Sequence, residues 1–249
     1  YTLAANRNHA GAQCCLGMLY EYNQLIPHDI NKSIYYYTLA ANQNHKEAQY
    51  FLGYLYLTGE YIPCDIDKVI YYNTLAANQN HSGAQYALGI LYLEGKKISF
   101  DINKSIYYLS LAAKQNHTDA QYKLGEIFQD NTYNNFDINK SIYYYTLAAD
   151  QNHMEAQYSL GFIYLTNEII PRNINKSIHY LTLAANQNHS KSQLFLGIIF
   201  SENKYIPRDI NKMIHYFTLA ANQNESFAQR FLADLYLKNK YVPRDINKS

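Results

Sequence analysis

The sequence of 249 residues has no tryptophan, only three cysteines and almost no net charge. With 21 basic and 20 acidic residues, it lacks the strongly basic surface typical of proteins that bind nucleic acids or anionic membranes. The cysteines, Cys14, Cys15 and Cys64, have no repeated or metal-like spacing, which favours a reducing compartment. No apolar run approaches the roughly 18 residues that a membrane-spanning helix needs, so we expect no membrane insertion by this segment.

What the sequence does contain is a repeat of 36 residues that is rich in tyrosine. The segment Ser33–His45 reads SIYYYTLAANQNH, and Ser141–His153 reads almost the same. One polar position recurs in this frame without a single insertion, at Asp29, Asp65, Asp101, Asp137, Asn173, Asp209 and Asp245. A fixed period of this length indicates a solenoid array rather than a globular domain.

Each period predicts two helices, with a marked stop after each helix. Apolar residues at helical spacing predict a first helix over Lys46–Thr58 and a second over Ile66–Gln79, with Asp65 as the N-cap of the second. Asparagine follows the second helix in every copy from Asn8 to Asn224. Glycine or asparagine, the residues that best tolerate a left-handed helix end, follows the first helix at Asn23, Gly59, Gly95, Asn131, Asn167, Asn203 and Asn239.

The second helix carries consecutive tyrosines for which we predict different environments. The column of Tyr36 keeps tyrosine in every copy and should be buried. The column of Tyr35 changes to His179 and His215 in later repeats, which favours a half-exposed position. Small residues such as Ala40 and Gly53 should let neighbouring helices approach closely.

These recurring positions resemble the Sel1-like repeat, a relative of the tetratricopeptide repeat. The segment AQYALGILYLEG, Ala84–Gly95, fits the family pattern closely, and the resemblance covers the whole chain. It implies an all-α fold, a right-handed α/α superhelix of two-helix repeats. We therefore interpret residues 1–249 as a single array of about six full repeats that is truncated within a helix at both ends.

Residues that could carry chemistry are few, and each has a simpler explanation. A histidine recurs once per repeat, at His9, His45, His81, His117, His153 and His189. Equivalent residues of stacked helices should lie roughly 10 Å apart, too far for one metal ion, so we interpret them as polar residues of the turns. Ser201 and Lys204 match a Ser-x-x-Lys pair, but its companion motifs are absent. We expect no metal, no cofactor and no catalysis in this segment.

A partner-binding surface is the remaining functional expectation. By resemblance to tetratricopeptide arrays, the first helices line the concave face, and function should lie where the repeats differ. On those helices the varying positions are those of Glu47, Tyr50, Tyr54, Leu57 and Thr58. Tyrosine itself suits protein interfaces. The predicted groove comprises Tyr50, Tyr54, Tyr86, Ile90, Tyr122, Glu126, Tyr158 and Phe162. Two interpretations stay open for Tyr50, exposure or packing on the next first helix, whereas we expect Tyr54 to be exposed.

We therefore predict a non-enzymatic scaffold or adaptor that holds proteins or peptides along this face. The alternative is a targeting or regulatory arm of a larger enzyme, such as a protein kinase or ubiquitin-ligase complex, whose catalytic part lies outside this segment. The cysteine pattern favours a cytoplasmic location. Glycosylation sequons such as Asn31-Lys32-Ser33 lie close to packing positions, where glycans would be attached in a secretory protein, and this also favours the cytoplasm.

Overall fold

The computed structural model describes residues 1–22, 27–166, 168–202 and 206–237, which form fourteen α-helices, one 3₁₀ helix and no strand. The 3₁₀ helix, Asn131–Tyr133, lies between α8 and α9. The α-helices are α1 (Thr2–Asn6), α2 (Ala10–Tyr22), α3 (Ile30–Asn42), α4 (Lys46–Thr58), α5 (Ile66–Asn78), α6 (Ser82–Glu94), α7 (Ile102–Lys114), α8 (Thr118–Gln129), α9 (Ile138–Asp150), α10 (Met154–Thr166), α11 (Ile174–Asn186), α12 (Ser190–Ser201), α13 (Ile210–Asn222) and α14 (Ser226–Leu237). The predicted all-α fold of repeated helix pairs is confirmed.

The helices group into two compact units, Tyr1–Leu124 and Gly125–Ser249, whose boundary falls within α8. In both units a first helix packs most extensively on the second helix that follows it, as α4 does on α5 and α10 on α11. The second helix then contacts the first helix of the next repeat, as α5 contacts α6 and α11 contacts α12. Each unit is therefore held together by contacts between neighbours along the chain.

The turn after each second helix is built around an asparagine with a positive φ angle. In Asn44 φ is 63°, and its N–H donates to Ala41 O at 2.9 Å. The N–H of His45 reaches back to Ala40 O at 3.1 Å, which completes a Schellman motif and satisfies carbonyls at the helix end. The predicted asparagine stop is confirmed, with φ between 57° and 67°, at Asn8, Asn44, Asn80, Asn116, Asn152, Asn188 and Asn224.

Within each unit, a buried glutamine ties one of these turns to the next. The Gln49 amide, in a side chain that is only 1% exposed, donates to Ala41 O at 3.3 Å and to Asn44 Oδ1 at 3.2 Å. Gln79, in the following turn, donates to Gln49 Oε1 at 2.8 Å. The same bond recurs in the pairs Gln13–Gln43, Gln85–Gln115, Gln157–Gln187 and Gln193–Gln223. Polar side chains thus connect successive repeats.

The end of the first helix follows the prediction only in part. Gly59 and Gly95 have positive φ angles of 65° and 62°, as expected. The prediction is wrong for Asn131, because Asp130 accepts the N–H of Thr132 at 2.8 Å and starts the 3₁₀ helix. The positive φ in that loop belongs instead to Asn134. The remaining predicted stops lie outside the described residues, namely Asn23, Asn167, Asn203 and Asn239.

The start of the second helix is confirmed as a capped start. The Asp65 carboxylate accepts the N–H of Lys68 at 3.1 Å, so it satisfies one of the free N–H groups of the first turn. This bond, reinforced by the ammonium group of Lys68 at 3.4 Å, keeps the pKa of the Asp65 carboxyl below its ordinary value. The same cap is made by Asp29, Asp101, Asp137, Asn173 and Asp209. Asp245 lies outside the described residues.

Tyrosines of the second helix occupy three depths, and the burial predicted for the Tyr36 column is wrong. The Tyr36 column is half-buried, because each ring stacks on a ring of the preceding first helix, as Tyr72 does on Tyr56 at 6.1 Å. Lys68 Nζ covers the Tyr56 ring at 4.6 Å. The fully buried column is the next one, which holds Tyr37, Asn73, Leu109, Tyr145, Leu181 and Phe217. The Tyr35 column is exposed, at 57–60% in Tyr35, Tyr71, Tyr107 and Tyr143.

A glycine in the first helix makes room for that buried column. A methyl group added at Gly89 would lie 2.6 Å from Leu109 Cγ and 3.2 Å from the Leu109 backbone nitrogen. The first distance is shorter than any normal carbon contact and the second is tighter than most, so glycine is the residue that fits where α6 crosses α7. The equivalent pairs are Gly17–Tyr37, Gly53–Asn73, Gly125–Tyr145, Gly161–Leu181 and Gly197–Phe217. The close helix approach predicted from small residues is therefore present in each unit.

We predict that Gly89→Ala lowers the free energy of unfolding by about 1–3 kcal/mol, because the added methyl overpacks the contact with Leu109. Gly83→Ala, in the same helix, is the matched control, since other repeats carry Glu47 or Asp119 at that position. The control should change stability by less than about 1 kcal/mol, because the higher helix propensity of alanine opposes the tight contacts of the added methyl with His81 Cε1 at 3.2 Å and Tyr50 Cζ at 3.3 Å. Urea denaturation measures both variants, and equal effects would contradict the packing explanation.

We predict that Asn44→Ala costs more stability than Asn44→Gly, by about 1–2 kcal/mol, because alanine disfavours the positive φ that glycine accepts. Both substitutions remove the same acceptor for Gln49 and Gln79, so their difference isolates the backbone conformation. Thermal and urea unfolding of the two variants provide the measurement. If the two were equally stable, the left-handed turn would not be the constraint described above.

Candidate functional site

The eight predicted groove residues lie on four first helices, in pairs that are one helical turn apart. Tyr50 and Tyr54 lie on α4, and in the same unit Tyr86 and Ile90 lie on α6. Tyr54 is 46% exposed, whereas the other seven are half-buried. The other two pairs are Tyr122 with Glu126 on α8 and Tyr158 with Phe162 on α10. The exposure of Tyr54 is as predicted.

The Tyr50 column packs on the turn histidine of the next repeat. The Tyr50 and His81 ring centroids lie 4.6 Å apart, and an added methyl at Gly83 of α6 would lie 3.3 Å from Tyr50 Cζ. The same stacking joins Tyr86 to His117 at 4.7 Å, and Tyr158 contacts His189 at 4.6 Å with the two rings tilted by 43°. Burial raises the pKa of the Tyr50 and Tyr158 hydroxyls. These tyrosines therefore join consecutive repeats and leave only part of each ring accessible.

In the second unit the groove residues belong to an aromatic cluster that sequence reasoning described incompletely. Phe195 of α12 lies 5.3 Å from Phe162 and 6.2 Å from Tyr158, measured between ring centroids. Tyr158 and Phe162 are themselves 6.0 Å apart. The signal that could have identified Phe195 is its register, which it shares with Phe51 and Phe231. Contacting aromatic rings give this surface a rigid, largely apolar character.

Charged groups of both signs border this cluster. The Glu155 side chain is 46% exposed, and its Oε2 lies 3.5 Å from His189 Nε2. Glu225 accepts a hydrogen bond from Ser190 Oγ at 2.7 Å, and Lys191 is exposed on α12. On α14, Phe227, Arg230, Phe231, Ala233 and Asp234 line a cavity of about 290 Å³. Apolar and charged groups therefore alternate along the first helices of this unit, a composition suited to peptide side chains.

The turn histidines are engaged in local contacts. His81 Nδ1 accepts the N–H of Ala84 at 3.1 Å, so the ring acts as the N-cap of α6. Within the described ranges, no three His, Cys, Asp or Glu side chains lie together in a group that could hold a metal ion. Ser201 Oγ donates to Ile198 O at 2.8 Å, a bond within its own helix, and Lys204 lies outside the described residues.

None of the described helices is long and apolar enough to cross a lipid bilayer.

Comparison with known proteins places the chain among repeat proteins. The family model described as Sel1 repeat matches residues 10–45, 46–81, 82–117, 118–153, 155–189, 190–225 and 226–249. These matches begin at the first helix of each repeat, so the period found in the sequence and the family repeat coincide. A search of curated proteins found no match.

Two of the solved structures that are similar to this chain show the extent of the match. One is c5321, a protective antigen of uropathogenic Escherichia coli with an SLR fold, which has 24% identity and a TM-score of 0.88 over 96% of this chain. The other is a Sel1 repeat protein from Oxalobacter formigenes, with 27% identity and a TM-score of 0.74 over 91% of this chain. The chain spans 51% of the first protein and 65% of the second. With family matches that run from residue 10 to residue 249, the chain belongs to the Sel1 repeat family.

Proposed function

We propose that this chain is a protein-interaction scaffold that binds partner proteins or peptides along its first helices. Sel1 repeat proteins are generally protein-interaction scaffolds, and this chain is built of such repeats throughout. The finer part of the proposal is the binding surface, formed in each unit by the Tyr54 register of the first helices. It holds Tyr54 and Ile90 in the first unit and Glu126 and Phe162 in the second.

The observation that carries this proposal is the contrast between constant and varying positions on one helix. Leu52 and Gly53 are buried against the second helix, and both recur at the same register in other repeats. Tyr54, the next residue, is exposed and is replaced by isoleucine, glutamate or phenylalanine along the chain. The buried pair keeps the contact between the helices, whereas the exposed register can change without disturbing that contact, so it is available for selecting a partner.

The Tyr50 register supports the surface rather than providing most of its contact area. Because Tyr50, Tyr86 and Tyr158 stack on histidines, they enter a partner interface with their orientation already fixed. Rings held in place lose little conformational entropy on binding, which favours affinity. An extended or helical peptide that lies across α4 and α6 would meet two such rings, Tyr50 and Tyr86.

A cytoplasmic location is part of the proposal, supported by Cys14, Cys15 and Cys64, which are all free thiols. Fluorescence microscopy of the tagged full-length protein provides the test. Diffuse signal in the cytoplasm is the expected result, and confinement to a secretory compartment would contradict this part of the proposal.

We predict that a photoreactive phenylalanine derivative at Tyr54 forms covalent adducts with discrete proteins in an extract of the source cells. The matched control is the same derivative at Tyr71 on α5, because both tyrosines are exposed, at 46% and 59%, but lie on different helices of one repeat. Mass spectrometry identifies the adducts. Adducts from position 54 that are absent from position 71 are expected, whereas indistinguishable patterns would refute the proposed surface.

We predict that Tyr54→Ser weakens capture of a partner identified in this way by about tenfold, in line with an interface tyrosine that contributes roughly 1.4 kcal/mol. Tyr71→Ser should leave capture unchanged. The change at Tyr54 removes an exposed ring, so both proteins should unfold at nearly the same urea concentration. If Tyr71→Ser weakened capture as much as Tyr54→Ser, binding would have to be assigned to the second helices.

A further inference from the structure

A histidine caps the first helix of six repeats through one defined ring nitrogen. In each case Nδ1 accepts the backbone N–H of the residue three positions later in the chain, at 3.1 to 3.4 Å. An accepting Nδ1 requires the neutral tautomer that carries its proton on Nε2. The six capping histidines are His9, His45, His81, His117, His153 and His189.

Capping and protonation therefore compete for the same atom. In this tautomer Nδ1 is the only basic nitrogen that can take up a proton, and once protonated it is a donor that faces another donor. A positive charge at a helix N-terminus is also opposed by the helix dipole. Protonation of a turn histidine thus removes the acceptor of an N-terminal N–H and places an unfavourable charge beside it.

We propose that the histidine-capped turns form a proton-sensitive device, in which proton uptake by the cap imidazoles uncaps the first helices and loosens the stack of repeats. The device acts in several repeats at once, because the same cap is present in each unit. It also acts at the joint between repeats, because the cap rings of His81, His117 and His189 stack on tyrosines of the preceding first helix.

The surroundings of these three rings determine the direction of the effect. Burial lowers the pKa of His81, His117 and His189 below the ordinary histidine value of 6.5. The folded chain therefore binds fewer protons than the unfolded chain as the pH falls through this value. Under proton linkage the unfolded state then gains stability, so the contribution of these three caps is present above about pH 6.5 and is lost progressively below it.

Nearby charges modify this effect without reversing it. His81 faces Glu47, which favours protonation, and Lys46 and His117, which oppose it. His117 faces Asp119, and its ring packs on Tyr86. His189 faces Glu155, Lys191 and Glu225, and its Nδ1 lies 2.8 Å from Ser192 Oγ. The carboxylates oppose the pKa shift, but burial is the largest cause in all three histidines.

His45 has a different neighbourhood, because Glu47 Oε2 lies 3.3 Å from its Nδ1 and offers an ion pair to the protonated ring. For this reason the test uses His81, His117 and His189, in which burial lowers the pKa of the ring. Asparagine is the matched replacement, because it is among the best N-cap residues and does not titrate in this range. The control pair is His179 and His215, which are exposed on second helices and are not caps.

The experiment compares urea midpoints at about pH 8 and about pH 5 for the wild-type chain, the triple variant His81→Asn, His117→Asn, His189→Asn and the control His179→Asn, His215→Asn. The wild-type midpoint should fall with the pH, and the triple variant should lose at least half of that fall. The control should keep all of it. A triple variant with an undiminished fall would overturn the proposal.

A second measurement on the wild-type chain keeps the proposal testable if the triple variant does not fold. Nuclear magnetic resonance follows the imidazole carbons of His81 and His117 and the amide protons of Ala84 and Ala120 during acidification. Each amide signal should shift together with the titration of its cap ring, because the hydrogen bond is lost as the ring is protonated. Amide signals that stay unchanged while the rings titrate would also overturn the proposal.

Discussion

The positive φ angle of the turn asparagine is the constraint on which every repeat depends. At Asn44 it lets the end of α3 close through bonds to Ala40 and Ala41, and it places His45 where the histidine caps α4. One short turn therefore ends one helix and starts the next. The side-chain amide of Gln49 donates a hydrogen bond to Ala41 O, and the Gln49 side-chain oxygen accepts one from Gln79 of the next turn. The hydrogen-bonded turn, which we call the polar joint, sets the direction of successive helices. Apolar side chains then fill the space between those helices.

The contacts around this joint separate the residues that a repeat needs for stability from those that are available for binding. Gly89 must stay a glycine because α6 crosses α7 at Leu109, and the turn asparagine must keep its backbone conformation. Tyr86 stacks on the cap histidine His117, so the joint also orients a ring of the proposed binding surface. Side chains that lie outside these contacts, such as Tyr54, can change between repeats without disturbing the turn. The variation along the first helices follows from this division.

The sequence predicts the helices well because each boundary is marked by a local chemical signal that recurs. The asparagine stops and the Asp65 cap are such signals, and they lie where expected. Two errors have physical causes. The run of three tyrosines from Tyr35 to Tyr37 does not reveal which ring is deepest, and the answer depends on a glycine of the preceding helix. The predicted left-handed helix end at Asn131 is wrong because Asp130 acts as the N-cap of a 3₁₀ helix that begins at Asn131. Contacts between repeats, such as Tyr50 on His81, are absent from any local pattern.

Native-state amide hydrogen exchange tests the central claim, that the turn is a fixed joint rather than a loose connection. The decisive groups are the backbone N–H groups of His45, His81 and His189, which donate to alanine carbonyls of the preceding helix at 3.1 Å. At neutral pH they should exchange as slowly as amides in the middle of α4, α6 and α12, because the turn opens only when the repeat itself opens. Exchange as fast as that of an exposed loop amide would contradict the account.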